Sequence, residues 1–204
     1  MNKVLFIGDM HFYHANAIKF DNRPFSCVEE MNSEMIRRWN NKADKGDLVY
    51  VVGDMIWKSG SDEACKILEQ LNGQKILIKG NHDRFIKNAK VKKMFAGIKD
   101  IDDICVTLED GTKRRVILSH HSMLFYDGSR YGAIHLYAHT HDSWEAKMEK
   151  LFVKFLRMKG HRIEMYNVGC MHWNFEPVTL DEILATGEGG FLKNGRPDLP
   201  NIAR

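Results

Sequence analysis

Proline is scarce, with 4 among 204 residues, and the four cysteines (Cys27, Cys65, Cys105, Cys170) stand far apart with no C-x-x-C pair. That excludes a proline-rich linker and a disulfide-stapled fold, and it fits free thiols in a reducing, cytoplasmic setting. No apolar run approaches the roughly 18 residues a membrane helix needs. The opening Val4-Leu5-Phe6-Ile7 is too short for the apolar region of a signal peptide. Neither sign of charge dominates: 30 Lys+Arg against 27 Asp+Glu leave a formal +3, too little to point to nucleic acid or a membrane as partner. A hydrophobic content of 44% argues against disorder, and at this length folding buries roughly 70% of the extended chain's surface. Ten histidines are what this otherwise ordinary composition leaves to be accounted for.

Short apolar, β-branched runs at 4–7, 48–52, 75–78, 116–118 and 134–137 read as buried strands. Between the first two, Ser26-Cys27-Val28-Glu29 fits a capping box, and Val28, Met31, Met35 and Trp39 recur at helical spacing. Ala64, Ile67, Leu68 and Leu71 repeat that pattern before Gly73, a plausible stop. The second half reads as more antiparallel. Segments 101–108 and 112–118 flank the turn formers Asp110-Gly111, and further strands are expected near 163–168 and 175–178. Met148, Leu151, Phe152, Phe155 and Leu156 suggest a helix whose apolar stripe packs on a sheet, flanked by basic residues that only weakly resemble a membrane-surface helix. We expect one α/β domain with mixed sheets over residues 1–186 and an irregular tail over 187–204, where four of the glycines and two of the prolines gather.

The informative residues follow the strands. After the first comes Gly8-Asp9-Met10-His11, after the second Gly53-Asp54, and after the third Gly80-Asn81-His82-Asp83. Ser119-His120-His121 follows the fourth, and Ala138-His139-Thr140-His141 the fifth. Open α/β sheets place their sites outside the carboxyl ends of strands, so five such loops can converge on one crevice. Carboxylate, amide oxygen and imidazole together suit divalent manganese, iron, zinc or nickel. In extended backbone residues i and i+2 point the same way, so Asp9 with His11, and His139 with His141, can each present two side chains to one place. Turn propensity explains Gly53-Asp54 or Gly80-Asn81 alone, but not five imidazoles at strand ends.

The ordered set resembles the calcineurin-type metallophosphoesterases, whose pattern is D-x-H, G-D, G-N-H-[DE], a later H, and G-H-x-H. The motifs span residues 9 to 141, and His11-Phe12-Tyr13-His14 with Arg23-Pro24-Phe25 is similar to a prokaryotic and phage branch of that superfamily. The resemblance implies two mixed β-sheets packed as a sandwich flanked by helices. It implies one metal held by Asp9, His11 and His141, another by Asn81, His120 and His139, and Asp54 bridging both. His82 matches the histidine that faces the leaving group. Two divalent ions of this kind grip phosphoryl oxygens and hold a hydroxide for in-line attack, and an imidazole such as His82 donates a proton to the departing oxygen. The expected activity is therefore hydrolysis of a phosphomonoester or phosphodiester, with a phosphorylated small molecule or nucleotide as partner. A nuclease or cyclic-nucleotide phosphodiesterase is the alternative within the same chemistry, and a silent metal-binding scaffold is a third reading, disfavoured because every ligand is retained.

Other positions carry weaker expectations. Ala138 replaces the motif glycine, which matters if that position needs positive φ. Either ring of His120-His121 can be the ligand, and the family pattern favours His120. Asp83 caps a helix or orients His82. Tyr13, His14, Asn16 and Arg23 are candidates to line the pocket, whereas His135, His161 and His172 read as structural or solvated. The run 84–93 has five basic residues and no acidic one, which suits a solvated helix face over a packing stripe better than a polyanion track.

Overall fold

The computed structural model describes residues 2–58 and 60–186, so the tail expected over 187–204 lies outside the described residues. In chain order the first half holds β1 (Val4–Ile7), α1 (Ala15–Phe20), α2 (Val28–Lys42), β2 (Leu48–Val52), α3 (Ser61–Leu68), β3 (Gln74–Ile78), α4 (Ala89–Lys92) and β4 (Gly97–Lys99). The second half holds β5 (Ile101–Thr107), β6 (Lys113–Ser119), β7 (Ile134–Tyr137), α5 (Trp144–Met158), β8 (Glu164–Asn167), β9 (Val178–Thr179) and α6 (Leu180–Ala185).

These strands form two sheets, ordered β4-β3-β2-β1-β9 and β5-β6-β7-β8. Each is mixed. Strands β1 to β4 run parallel and β9 antiparallel, while β5 pairs antiparallel with β6 and β6, β7 and β8 run parallel. The expected antiparallel character of the second half therefore holds for the β5–β6 hairpin and for β9, which pairs with β1, but not for β6, β7 and β8. Segment 175–178 is also not a strand: Asn174 and Phe175 adopt positive φ, and pairing begins at Val178.

Alternation along each strand sets the layers. Leu5, Ile7, Val49, Val51 and Leu77 face Met31, Met35 and Trp39 of α2 and Ala64, Ile67 and Leu68 of α3. Phe6, Tyr50, Val52 and Ile78 face the second sheet and meet Val116, Leu118, Ile134, Leu136 and Tyr166. Ile117, Tyr137 and Met165, on the outer side of that sheet, pack with Val153 of α5. The order is helices, sheet, sheet, helix.

Three local expectations shift. Ser26 does not close a capping box with Glu29; its backbone N–H donates to Glu30 at 2.7 Å and Cys27 occupies the N-cap without a side-chain bond. Segment 84–93 is a 3₁₀ turn followed by the single-turn α4, with Phe85 and Val91 buried, rather than one helix. Helix α5 buries Ala146, Glu149 and Val153, so Met148, Leu151 and Phe155 face solvent instead of the sheet.

Candidate metal centre

Both sheets end their strands at one cleft. Asp9, Asp54 and Asn81 follow β1, β2 and β3, whereas His120, His139 and His141 follow β6 and β7. Left-handed corners shape most of these places, though not Asn81 or His120. Asp9, His11, Asp54, His139 and His141 all have positive φ, between 48° and 71°. The i, i+2 pairs thus converge through left-handed corners, not through the extended backbone expected from the sequence. Ala138 is outside that set, so replacing the motif glycine there costs no strain; the corner falls on His139. Space is what the glycines provide. A Cβ on Gly53 would lie 2.2 Å from Nδ1 of His120, and one on Gly80 would lie 2.2 Å from Oδ1 of Asp54.

The donors fall into two groups, Asp9 with His11 and His141, and Asp54 with His120 and His139; within each group one ligand atom per residue lies within 4.8 Å of the others. Asp54 stands between them, its Oδ2 being 3.4 Å from Nε2 of His120 and 3.8 Å from Nε2 of His11. Nε2 of His11 and His141 approach to 3.2 Å, and Nε2 of His120 lies 3.0 Å from Oδ1 of Asn81. His82 lies at the side, its backbone N–H donating to Oδ1 of Asp54 and its Nε2 4.0 Å from Oδ2. Every residue singled out by the motifs is brought to this cleft. Of the doublet, His120 joins the cluster; His121 is exposed, its ring 4.1 Å from that of His139.

Electrostatics here are those of donors packed closely together, the nearest ionic neighbour of Asp9 being His141, with its Nε2 3.8 Å from Oδ1. Both carboxylate oxygens of Asp9 and Nδ1 of His11 are buried without a hydrogen-bond partner among the described residues. Such a carboxylate is costly unless a cation meets it. Burial pushes the Asp9 carboxyl up, pulls His11 down to about 2, and lowers His139 to about 4. Two histidines move the other way. Burial opposes protonation of His120, but its contact with Asp54 and the charge of Asp9 overcome it and lift the group to about 9. His141 likewise rises against burial through Asp21 and Asp9. Burial similarly disfavours the Asp54 anion, yet His120 and the His82 amide hold that carboxyl down to about 2.

A second layer supports the donors. Asp83 stands at the N-cap of the 3₁₀ turn at 84–87 without a side-chain capping bond; its carboxylate accepts the backbone N–H of Asp54, Met55 and Gly80 and so ties two motif loops together. Nδ1–H of His141 donates to Asp21 at 2.8 Å. Asp21 is also paired with buried Arg23, whose remaining N–H groups donate to the carbonyls of Asp9 and Met10. Sequence reading missed Asp21 and missed Trp57, which lines the cavity; the Asp21-Asn22-Arg23 triplet, acid beside base in a loop after a motif, was the available signal for the first. Among the pocket candidates His14 lines the cavity, Arg23 lies buried beneath it, and Tyr13 and Asn16 stay outside its lining. Buried His135 accepts the Met123 N–H, His161 is exposed, and His172 sits behind His141 near its carbonyl. None of the basic residues of 84–93 lines the cavity.

Comparison with known proteins agrees with this arrangement. A family model described as calcineurin-like phosphoesterase matches residues 2–185. Uncharacterized protein MJ1445 of Methanocaldococcus jannaschii is 49% identical over 92 residues, which are 45% of this chain and 52% of that protein. The chain thus spans about half the length of the curated relative it matches. The crystal structure of the protein of unknown function AQ665 from Aquifex aeolicus superimposes with a TM-score of 0.64 at 22% identity, covering 91% of this chain and 99% of the other, which is a likeness of fold.

Proposed function

The chain belongs to the calcineurin-like phosphoesterases, and from that premise we propose that it hydrolyses a phosphomonoester or phosphodiester in this cleft with two divalent cations as cofactors. The observation that carries the reading is the buried Asp9 carboxylate without a hydrogen-bond partner, in a donor group beside a second one whose Asp54 also lies 3.8 Å from His11. Asp9, His11 and His141 would hold one cation, Asn81, His120 and His139 the other, and Asp54 both. Manganese, iron, zinc or nickel suits this mixture of carboxylate, amide oxygen and imidazole. Bound there, the two ions supply the Lewis-acid charge that draws phosphoryl oxygens and activates water.

The chain's own residues do the rest. Two aspartates offset only half of the cations' charge, leaving a net of about +2 with neutral imidazoles, attractive to phosphate. Burial already keeps His11 and His139 neutral, the form a ligand needs. His82 is kept out of both donor groups with a side chain about a third exposed, where it can give a proton to the departing oxygen. No helix among the described residues is long and apolar enough to cross a membrane, and the four cysteines are free, which supports a cytoplasmic setting.

The test is a hydrolysis panel on metal-stripped protein, with an aryl monoester, an aryl diester, cyclic nucleotides and single-stranded nucleic acid, each with Mn²⁺, Ni²⁺, Zn²⁺ or Mg²⁺ restored. Metal-dependent turnover of at least one ester is expected. Asp54→Asn should lower it by at least the roughly 100-fold that even outer-layer partners of a metal can reach. Turnover of nothing, or an Asp54→Asn protein with activity and metal content intact, would contradict the assignment.

A further inference from the structure

The cavity above the donors has a volume of about 400 Å³, and its lining is of two kinds. One is a row of rings. The imidazole of His14 lies parallel to the indole of Trp57, with centroids 3.7 Å apart and 3° between planes. Trp57 in turn lies 4.6 Å from the ring of His82, and Phe20 meets His14 edge-on at 6.0 Å. The row therefore runs outward from the histidine assigned to the leaving group. Its apolar members remain in contact with solvent: Trp57 is 39% exposed and Phe20 73%. The lining also carries Asp142 and Glu145, two exposed carboxylates.

We infer that Trp57, held by His14 and extended by Phe20, forms the leaving-group wall and makes the enzyme selective for phosphoesters whose leaving group bears a flat ring, a nucleoside or an aryl alcohol. The inference rests on the hydrolase reading above and adds the specificity-determining side chains to it. A flat ring recovers dispersion and stacking against the indole that an alkyl or sugar group does not, because the wall offers a saturated group few polar partners. Stacking is tolerant of the identity of the ring, since every base presents a π face. The two lining carboxylates repel further phosphates, which turns the preference toward a single nucleotide or aryl ester and away from a polynucleotide.

AMP and ribose 5-phosphate share one ester bond and differ in the base, so their ratio of kcat/KM reads the wall alone. With the native chain that ratio is expected to favour AMP by about 10-fold or more, to stay within about 3-fold of native in Trp57→Phe, and to collapse toward one in Trp57→Leu. Adenosine, which has no phosphate, should inhibit turnover of whichever reference ester is cleaved, p-nitrophenyl phosphate or its bis-ester, and ribose should not. The inhibition constant should rise about 10-fold in Trp57→Leu. Isothermal titration calorimetry of adenosine into metal-free native and Trp57→Leu protein gives the same comparison without catalysis. Equal use of AMP and ribose 5-phosphate, or adenosine binding unchanged in a folded Trp57→Leu protein, would overturn the wall. Failure to cleave any ester would overturn the hydrolase reading instead, and the calorimetric titration would still decide the wall.

Discussion

His141 is held from behind. Its Nδ1–H donates to Asp21, which leaves Nε2 directed at the donor group, and Asp21 is fixed in turn by two N–H groups of Arg23. Carboxylate behind imidazole fixes the tautomer and orientation of a ligating ring. Replacing Asp21 with Asn removes the charge facing a guanidinium that has no solvent exposure. Leaving a buried charge unpaired costs about 3–5 kcal/mol, and loss of the orienting partner lowers metal affinity by about 10- to 100-fold. Thermal unfolding and competition with a chelating dye measure the two effects separately. Unchanged affinity would show that His141 needs no support. The histidines themselves were legible because each belongs to a motif a few residues long. Asp21 was not, since it acts across 120 residues of chain and only the fold brings it to His141.

Helix α5 shows where a pattern within one element misleads. Its sequence carries two candidate stripes: Trp144, Met148, Leu151, Phe155 and Met158 on one side, and Ala146, Glu149 and Val153 on another. The first is the more apolar, yet it is the one in water, with Leu151 60% exposed. The second is buried because the Glu149 carboxylate accepts the hydroxyls of Ser122 and Thr140, a partnership no periodicity reports. Burial raises the Glu149 carboxyl despite those bonds. Leu151→Lys should therefore change unfolding free energy by no more than about 0.5 kcal/mol. Val153→Ala, which empties a packed position against the sheet, should cost on the order of 2 kcal/mol. Urea denaturation of the two variants measures both, and the opposite ranking would mean that the other stripe is the packed one. By contrast α2 and α3 were readable from spacing alone, because each has a single apolar face and that face meets the first sheet.

At the scale of the whole molecule, the two sheets contribute different donors to one centre. The first sheet supplies Asp9, His11, Asp54 and Asn81, and the second supplies His120, His139 and His141. Cations bound between them should therefore stabilise the folded sandwich against the unfolded chain, which gathers no such set. At a free concentration of about 100 times the dissociation constant the gain is about 2.7 kcal/mol, or roughly 5–10 °C in melting temperature for a chain of this size. Scanning calorimetry of metal-stripped protein, with and without added Mn²⁺, checks this; an equal rise in Asp54→Asn would mean binding elsewhere. Five short apolar runs made the strands visible beforehand, and the resemblance carried by the motif loops implied the sandwich, whereas the parallel direction of β6, β7 and β8 was hidden because β6 (KRRVILS) and β8 (EMYN) lack the continuous apolar run that marks a parallel strand. The left-handed corners at Asp9, His11, Asp54, His139 and His141 reach beyond this chain. Each is a conformation that L residues adopt at a cost of order 1 kcal/mol or more and keep only where the surrounding fold over-determines it. Anyone transplanting these side chains onto another scaffold must copy the corners first, for the same seven residues placed on relaxed backbone would point elsewhere.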